Sequence, residues 1–358
     1  MRLAAIASVL AIVLCVMVFG AVLFQAGSVS GRSSAPPLVT SVERQASGTA
    51  VTAAQSAAVQ APAATRVPTV ITQASPPSPW PAFAQPSCSN PNALGIARVV
   101  EIDTTGGPGF GFEHFKSHDF LREGEVVLTF DDGPWPKNTQ AVLAALAAHC
   151  TRAIFFPIGL HATYEPGILK QVAAAGHVIG SHTWCHQDLS KTKGRCNVNG
   201  KVQTVEYNPK DEIEMGISAV HWAVGGPTAP YFRFPALRQP QELIDYLGKR
   251  NIAIFSADMD SFDFKMRKPE QVRQSVMEKL KKHGKGIVLL HDFQHATAEA
   301  AMDLLNDLKA GGYKIVFMQP KFAVTTIAAY DETILKQVKG SGGGDARPTS
   351  SVVRTISE

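Results

Sequence analysis

Between Val126 and Phe317, apolar strand-forming runs alternate with helix-forming segments, and this alternation confines the chain to an α/β fold. The pattern predicts strands over 126–130, 152–158, 177–181, 231–234, 252–256, 287–290 and 314–317. It predicts helices over 139–149, 165–175, 211–224, 241–249, 269–282 and 297–310. Pro269 stands early in its segment and Gly284 just past the end, the order that helix termini favour. Gly176 and the pair Gly311-Gly312 stop two other helices. Repeated βα units imply a mostly parallel sheet, and a barrel would close it without exposed edges. Periodicity alone does not separate a barrel from an open sheet. The folded part is expected over 86–338, about 250 residues, the size of one such barrel.

The flanks differ in character. Arg2 precedes 22 residues, Leu3 to Phe24, broken only by Ser8 and Gly20. As a helix this segment spans about 33 Å, enough to cross the core of a bilayer. Residues 1–26 are therefore expected to be a signal anchor, with a cleaved signal and a secreted product as the alternative. In both cases Arg2 stays cytoplasmic and the chain beyond Phe24 is exported. Residues 27–85, rich in Ala, Ser, Thr, Pro and Gln, read as a linker without periodicity, and 339–358 as a second disordered end. Hydrophobic residues make up 45% of the chain, enough for a core, and the net charge of +4 is too small and too scattered to argue for nucleic acid.

The first strong strand ends at Asp131-Asp132-Gly133-Pro134. A buried strand that stops at two carboxylates delivers them to the rim of a sheet or barrel, although the same residues also make a good solvated turn. Neighbouring side chains on a strand point opposite ways, so one acid can bind a metal while the other serves as a base. After the strand at 177–181 come His182 and His186, spaced to meet on one face of a helical turn and grip a metal. One Asp and two His would leave a coordination position for water, as catalytic rather than structural metal sites do.

Thr129-Phe130-Asp131-Asp132-Gly133 followed by His182-Thr183-Trp184-Cys185-His186 resembles the first two motifs of the polysaccharide deacetylase family, the NodB-homology domain. Three further motifs come in order: Arg233-Phe234-Pro235-Ala236-Leu237, Asp260-Ser261-Phe262-Asp263-Phe264 and Leu289-Leu290-His291. The resemblance covers roughly 125–316. It implies a distorted (β/α) barrel that removes acetyl groups from N-acetylated glycan (chitin oligomer, peptidoglycan or another envelope polysaccharide) with a divalent metal, zinc or else cobalt or a similar cation. It also implies Asp132, His182 and His186 as metal ligands, Asp131 as general base and Arg233 as the residue orienting it. His291 would protonate the leaving amine, with Asp260 tuning it, and the main-chain N–H of Ala236 would serve the oxyanion. Asp258 and Asp263 are the rivals to Asp260.

Two departures from the family pattern fall in the sugar groove. Ala236-Leu237 replaces Tyr-Gly, and Phe264 replaces a Trp, keeping an apolar wall without the indole donor. Both point to an altered substrate preference. Other classes stay open: a degenerate glycan-binding protein, or an amidohydrolase acting on a small cyclic amide or imide. Trp135, Trp184 and Phe293 are candidates to line the groove. His149, His161 and His177 have no partner at ligand spacing and read as surface or core residues. Four cysteines come after Cys15, the one in the apolar N-terminal segment, and allow three pairings. Cys185–Cys196 would staple the insert 191–201 beside the metal loop and leave Cys88–Cys150 to tie the lead-in to the barrel. Free thiols are the alternative.

Overall fold

A computed structural model describes residues 78–86, 88–198 and 201–340. In chain order its elements are β1 (Arg98–Ile102), β2 (Gly109–Phe110), β3 (Glu125–Asp131), α1 (Asn138–Ala148), β4 (Ile154–Phe156), α2 (Gly159–Tyr164), α3 (Pro166–Ala174), β5 (Val178–Ile179), β6 (Lys193–Val198), β7 (Lys201–Glu206) and α4 (Pro209–Val224). There follow β8 (Tyr231–Phe232), α5 (Gln241–Lys249), β9 (Ala253–Phe255), β10 (Met259–Asp260), α6 (Pro269–His283), β11 (Gly286–His291), α7 (His295–Ala310), β12 (Lys314–Pro320) and α8 (Ala328–Gly340).

Parallel pairing runs β10–β11–β3–β4–β5. A parallel bridge from Ser181 to Phe232 carries it on to β8, which pairs with β9. Because β9 and β10 lie only three residues apart in the chain, this path returns to its start. β12 joins the lower end of β3 at Lys314 and Ile315 and carries β1 on its other side.

The strand period of two sorts side chains between two apolar layers. Val126, Leu128 and Phe130 join Val142, Leu146, Leu304 and Leu308 of the helices in one cluster. Val127 points the other way, into a cluster with Ile154, Phe156, Phe255 and Ile287. Thr129 and Asp131 share the parity of Val127, so the same inner face of β3 turns from apolar to polar as it nears its C-terminal end. Terminal chemistry accounts for helix limits. Pro209 opens α4 beneath the Asn208 side chain, which accepts the Lys210 N–H at 2.9 Å, and Gly225 ends it with φ 68°.

The α/β class and the parallel sheet agree with the sequence expectation, and α5 falls on the expected residues. Other features were not expected. The lead-in contributes β1 and β2, because Arg98–Ile102 finds a parallel partner in β12. The insert is an antiparallel hairpin, β6–β7. The helices α2 and α8 carry no strong periodic signal. Residues 78–83, read as linker, pack on the domain: Trp80 donates its N–H to Lys321 O at 3.0 Å, and the Phe83 ring lies 5.9 Å from that of Phe317. Aromatic side chains give this stretch apolar surface to bury, which the linker before it lacks. Both expected disulfides form, Cys88–Cys150 and Cys185–Cys196. The expected anchor at 1–26, most of the linker and residues 341–358 lie outside the described residues. Among the described residues, no helix is long and apolar enough to cross a membrane.

Candidate active site

Every expected metal ligand sits just beyond the C-terminal end of a short parallel strand. Asp132 follows β3, and His182 and His186 follow β5. The Asp132 Oδ1 atom lies 3.5 Å from Nε2 of His182 and 3.5 Å from Nε2 of His186. It is buried and has no hydrogen-bond partner. A carboxylate oxygen without a donor is costly in such a place, and a cation shared with the two imidazoles would satisfy it. His182 is prepared for that role. Its Nδ1–H donates to Arg233 O at 2.7 Å, which fixes the tautomer and leaves Nε2 facing Asp132. Burial lowers the His182 pKa to about 4, against the opposing pull of Asp131, so the ring is neutral at pH 7. His186 is more open, with 40% of its side chain exposed, which leaves an approach from solvent. Three ligand atoms, one carboxylate oxygen and two imidazole nitrogens, fit a divalent metal such as zinc.

Backbone strain concentrates here. Asp132 (φ 72°), Thr183 (φ 68°) and His186 (φ 54°) are all left-handed, as are Ala236, Leu237 and Phe262 on the facing loops. Non-glycine residues hold such angles at a cost of about 1–3 kcal/mol each, and they cluster where a site is held in place by its surroundings. Close packing does the holding. A Cβ on Gly216 of α4 would lie 2.5 Å from the main-chain carbon of Thr183, between the two histidines. A Cβ on Gly133 would lie 2.3 Å from Oδ2 of Asp292.

Asp131 and Arg233 form the buried centre, 2% and 0% exposed. Arg233 donates to Asp131 Oδ1 at 2.7 Å, Thr129 Oγ1 at 2.7 Å, Ser256 O at 2.9 Å and Phe255 O at 3.3 Å. Its guanidinium also lies over the Phe156 ring at 4.5 Å. Desolvating two charges is expensive, and these satisfied donors offset it. Asp131 Oδ2 lies 3.9 Å from His182 Nε2, so the carboxylate borders the candidate metal position without filling it.

His291 ends β11 directly opposite Asp131 in the β3–β11 register. The carboxylate that holds it is Asp263, not Asp260. Asp263 accepts the imidazole Nδ1–H at 2.6 Å and the His291 main-chain N–H at 2.8 Å, and a third bond comes from Thr297 Oγ1. Asp260 instead caps its own loop, accepting the Phe262 N–H at 2.8 Å. Asp258 accepts the N–H groups of Phe112 and Ile287, a structural task. Spacing could not choose among these three acids. The choice is made by left-handed Phe262 and the single turn 263–265, which direct Asp263 inward between two exposed phenylalanines.

Two residues of the site carried no usable sequence signal. His161, on the unexpected helix α2, donates Nδ1–H to Asp132 O at 2.7 Å and packs edge-on to Trp135 at 5.5 Å. Asp292, 1% exposed, accepts Gly133 N–H at 3.1 Å and the Thr139 hydroxyl, tying the Asp131-Asp132-Gly133 turn to the His291 loop. Burial pushes its pKa up to about 7. Among the groove candidates, Trp135 is 43% exposed and Phe293 lies 6.3 Å from it and 6.1 Å from His291. Trp184 packs with Ile158 and Leu160 in the core instead. Ala236 is exposed on the loop after Arg233. His149 and His177 are buried, and His295 begins α7 in an ion pair with Glu299 at 3.1 Å.

A family model for polysaccharide deacetylase matches residues 120–254. A chitooligosaccharide deacetylase of Bradyrhizobium sp. (strain ANU 289) is 30% identical over 167 residues, 47% of this chain and 70% of its own. A peptidoglycan-N-acetylglucosamine deacetylase of Listeria monocytogenes is 29% identical over 193 residues, 53% of this chain and 37% of that protein, so the chain spans well under half the length of that relative. The solved structure of a peptidoglycan deacetylase from Bdellovibrio bacteriovorus aligns with TM-score 0.53 and 28% identity, covering 73% of this chain and 67% of the other.

Proposed function

The chain belongs to the polysaccharide deacetylase family, and we propose that it hydrolyses the N-acetyl amide of an acetylated glycan with a divalent metal, zinc by preference, held by Asp132, His182 and His186. The observation that carries this reading is the donor-free Asp132 Oδ1 facing two imidazole Nε2 atoms at 3.5 Å, beside the Asp131–Arg233 pair. When bound, such a cation supplies Lewis acidity, acidifying water and polarising an acyl oxygen.

The chain's own residues supply the rest. Asp131, with Oδ1 engaged by Arg233, presents its other oxygen towards the ligand cluster, where it can take a proton from the attacking water. An amide nitrogen cannot leave as an anion. His291 delivers a proton to it through Nε2, because Asp263 fixes the tautomer by engaging Nδ1. The Ala236 N–H is the donor we assign to the oxyanion; the alanine side chain is too short to cover the groove that a tyrosine would narrow. The substrates we favour are those of the named relatives, peptidoglycan and chitooligosaccharides. We place this unit outside the cytoplasm, tethered through residues 1–26; the two disulfides favour an oxidising compartment.

The test is acetate release by the metal-loaded full chain from peptidoglycan and from N-acetylglucosamine oligomers, with Asp131→Asn as control. Release that Asp131→Asn lowers by roughly 10²–10⁴ supports the assignment. Release that survives the substitution would exclude Asp131 as the base.

A further inference from the structure

The loop that presents Asp263 to His291 turns Phe262, Phe264 and Lys265 outward. Phe262 is 42% exposed and Phe264 44%, their rings 6.0 Å apart, and Phe264 lies edge-on 5.4 Å from His291. Two apolar rings held in water beside an active site form a face on which the C–H groups of a sugar can rest. Phe262 is left-handed (φ 56°), so this display is maintained against local strain.

The shelf carries charge. Lys265 Nζ stands 4.6 Å from the centroid of Phe262 and 5.3 Å from that of Phe264, and Lys279 Nζ is 4.6 Å from Phe262. Lys279 is engaged, donating to Asp260 O at 2.7 Å and Ser275 Oγ at 2.9 Å. Lys265 makes no ion pair among the described residues. The three acids of the segment are committed elsewhere: Asp258 to Phe112 and Ile287, Asp260 to Phe262, and Asp263 to His291 and Thr297. The Lys265 ammonium is thus oriented by two rings, close to the proton donor, with its charge left for an external anion.

Resting on the deacetylase reading, we propose that Phe262, Phe264 and Lys265 form a subsite that selects glycan bearing carboxylates, with the sugar resting on the rings and a carboxylate on or beside the reacting unit pairing with Lys265. A peptidoglycan strand carries such groups on its peptides and on muramoyl sugars that lack a peptide. An oligomer of N-acetylglucosamine is neutral. Lys265 is accordingly a specificity residue, and its effect falls on KM rather than on kcat.

The experiment compares wild-type full chain with Lys265→Gln, Lys265→Glu and Lys265→Arg. Each is assayed on solubilised peptidoglycan strands and on the same strands with their carboxylates converted to neutral amides. An exposed ion pair of this kind makes KM for the carboxylate strands roughly two- to fivefold lower in the wild type. Lys265→Arg keeps that preference, Lys265→Gln abolishes it, Lys265→Glu inverts it, and added salt shrinks it. Equal KM values in the wild type, or a preference that survives Lys265→Glu, would overturn the proposal. Equal damage to both substrates would mean that Lys265 only supports the loop, and would overturn it too. If the wild type releases no acetate from either strand or from N-acetylglucosamine oligomers, the deacetylase reading falls. Calorimetric binding of the same two strands then decides on the subsite: a preference lost in Lys265→Glu upholds it, and equal binding removes it.

Discussion

Asp263 holds His291 from two directions, taking the imidazole Nδ1–H on one oxygen at 2.6 Å and the main-chain N–H on the other at 2.8 Å. Burial alone would lower the histidine's pKa, but the Asp263 hydrogen bond and charge outweigh it and, with Asp132 and Asp131, push it up to about 9. A folded-state value above the ordinary 6.5 stabilises the fold fully below pH 6.5, and that contribution is lost as pH rises through about 9. Asp263→Asn keeps a hydrogen-bonding group but removes the charge. Urea unfolding of the metal-stripped protein across this window is expected to show stability falling with pH more steeply in the wild type than in Asp263→Asn. Parallel slopes would contradict the assignment.

Arg233 is the more structural half of its ion pair. Arg233→Ala leaves the Asp131 carboxylate buried with its counter-charge removed, and a loss of roughly 3–5 kcal/mol is expected in chemical denaturation. Asp131→Asn keeps an oxygen for Arg233 and should destabilise less while removing the proposed base. Equal stability losses would contradict this asymmetry between the two residues.

Metal binding should appear as stability. Zinc at a free concentration of about 100 times Kd raises the unfolding free energy by about 2.7 kcal/mol, and Tm rises accordingly. Asp132→Ala should abolish the zinc-dependent rise, as should His182→Gln. A rise that persists in Asp132→Ala would move the metal elsewhere.

The loop that carries His182 and His186 depends on a glycine distant in sequence. In Gly216→Ala the new Cβ would lie 2.5 Å and 2.6 Å from the main-chain carbonyl atoms of Thr183, so α4 or the loop must move. A loss of roughly 1–3 kcal/mol together with weaker zinc affinity is expected. Gly167→Ala, where the added Cβ meets nothing within 4 Å, serves as the control and should leave affinity unchanged.

Repetition and abrupt endings are what made parts of this fold legible in the sequence. The strands β3 and β11 could be read because a run of buried β-branched and aliphatic residues stops at a charged or titratable side chain. The helices could be read from Pro and Gly at their ends. Asp131, Asp132, His182, His186, Arg233 and His291 could be singled out as candidates because each ends or follows such a strand, in an order that matches the family. Asp263 could not be chosen over Asp258 and Asp260, because a left-handed Phe262 decides which acid turns inward and no periodicity encodes that angle. His161 and Asp292 stayed hidden for a related reason: both act on the main chain of the Asp132-Gly133 turn, and a contact with backbone leaves no partner residue type to look for.

The most direct test of metal-dependent deacetylation is a zinc titration of the metal-stripped full chain, reading acetate released from peptidoglycan against zinc bound per chain. Release should be absent at the start, rise in proportion to occupancy and level off at one zinc, with Asp132→Ala remaining silent throughout. Release without metal, or none from peptidoglycan or from N-acetylglucosamine oligomers with one zinc tightly bound, would contradict it.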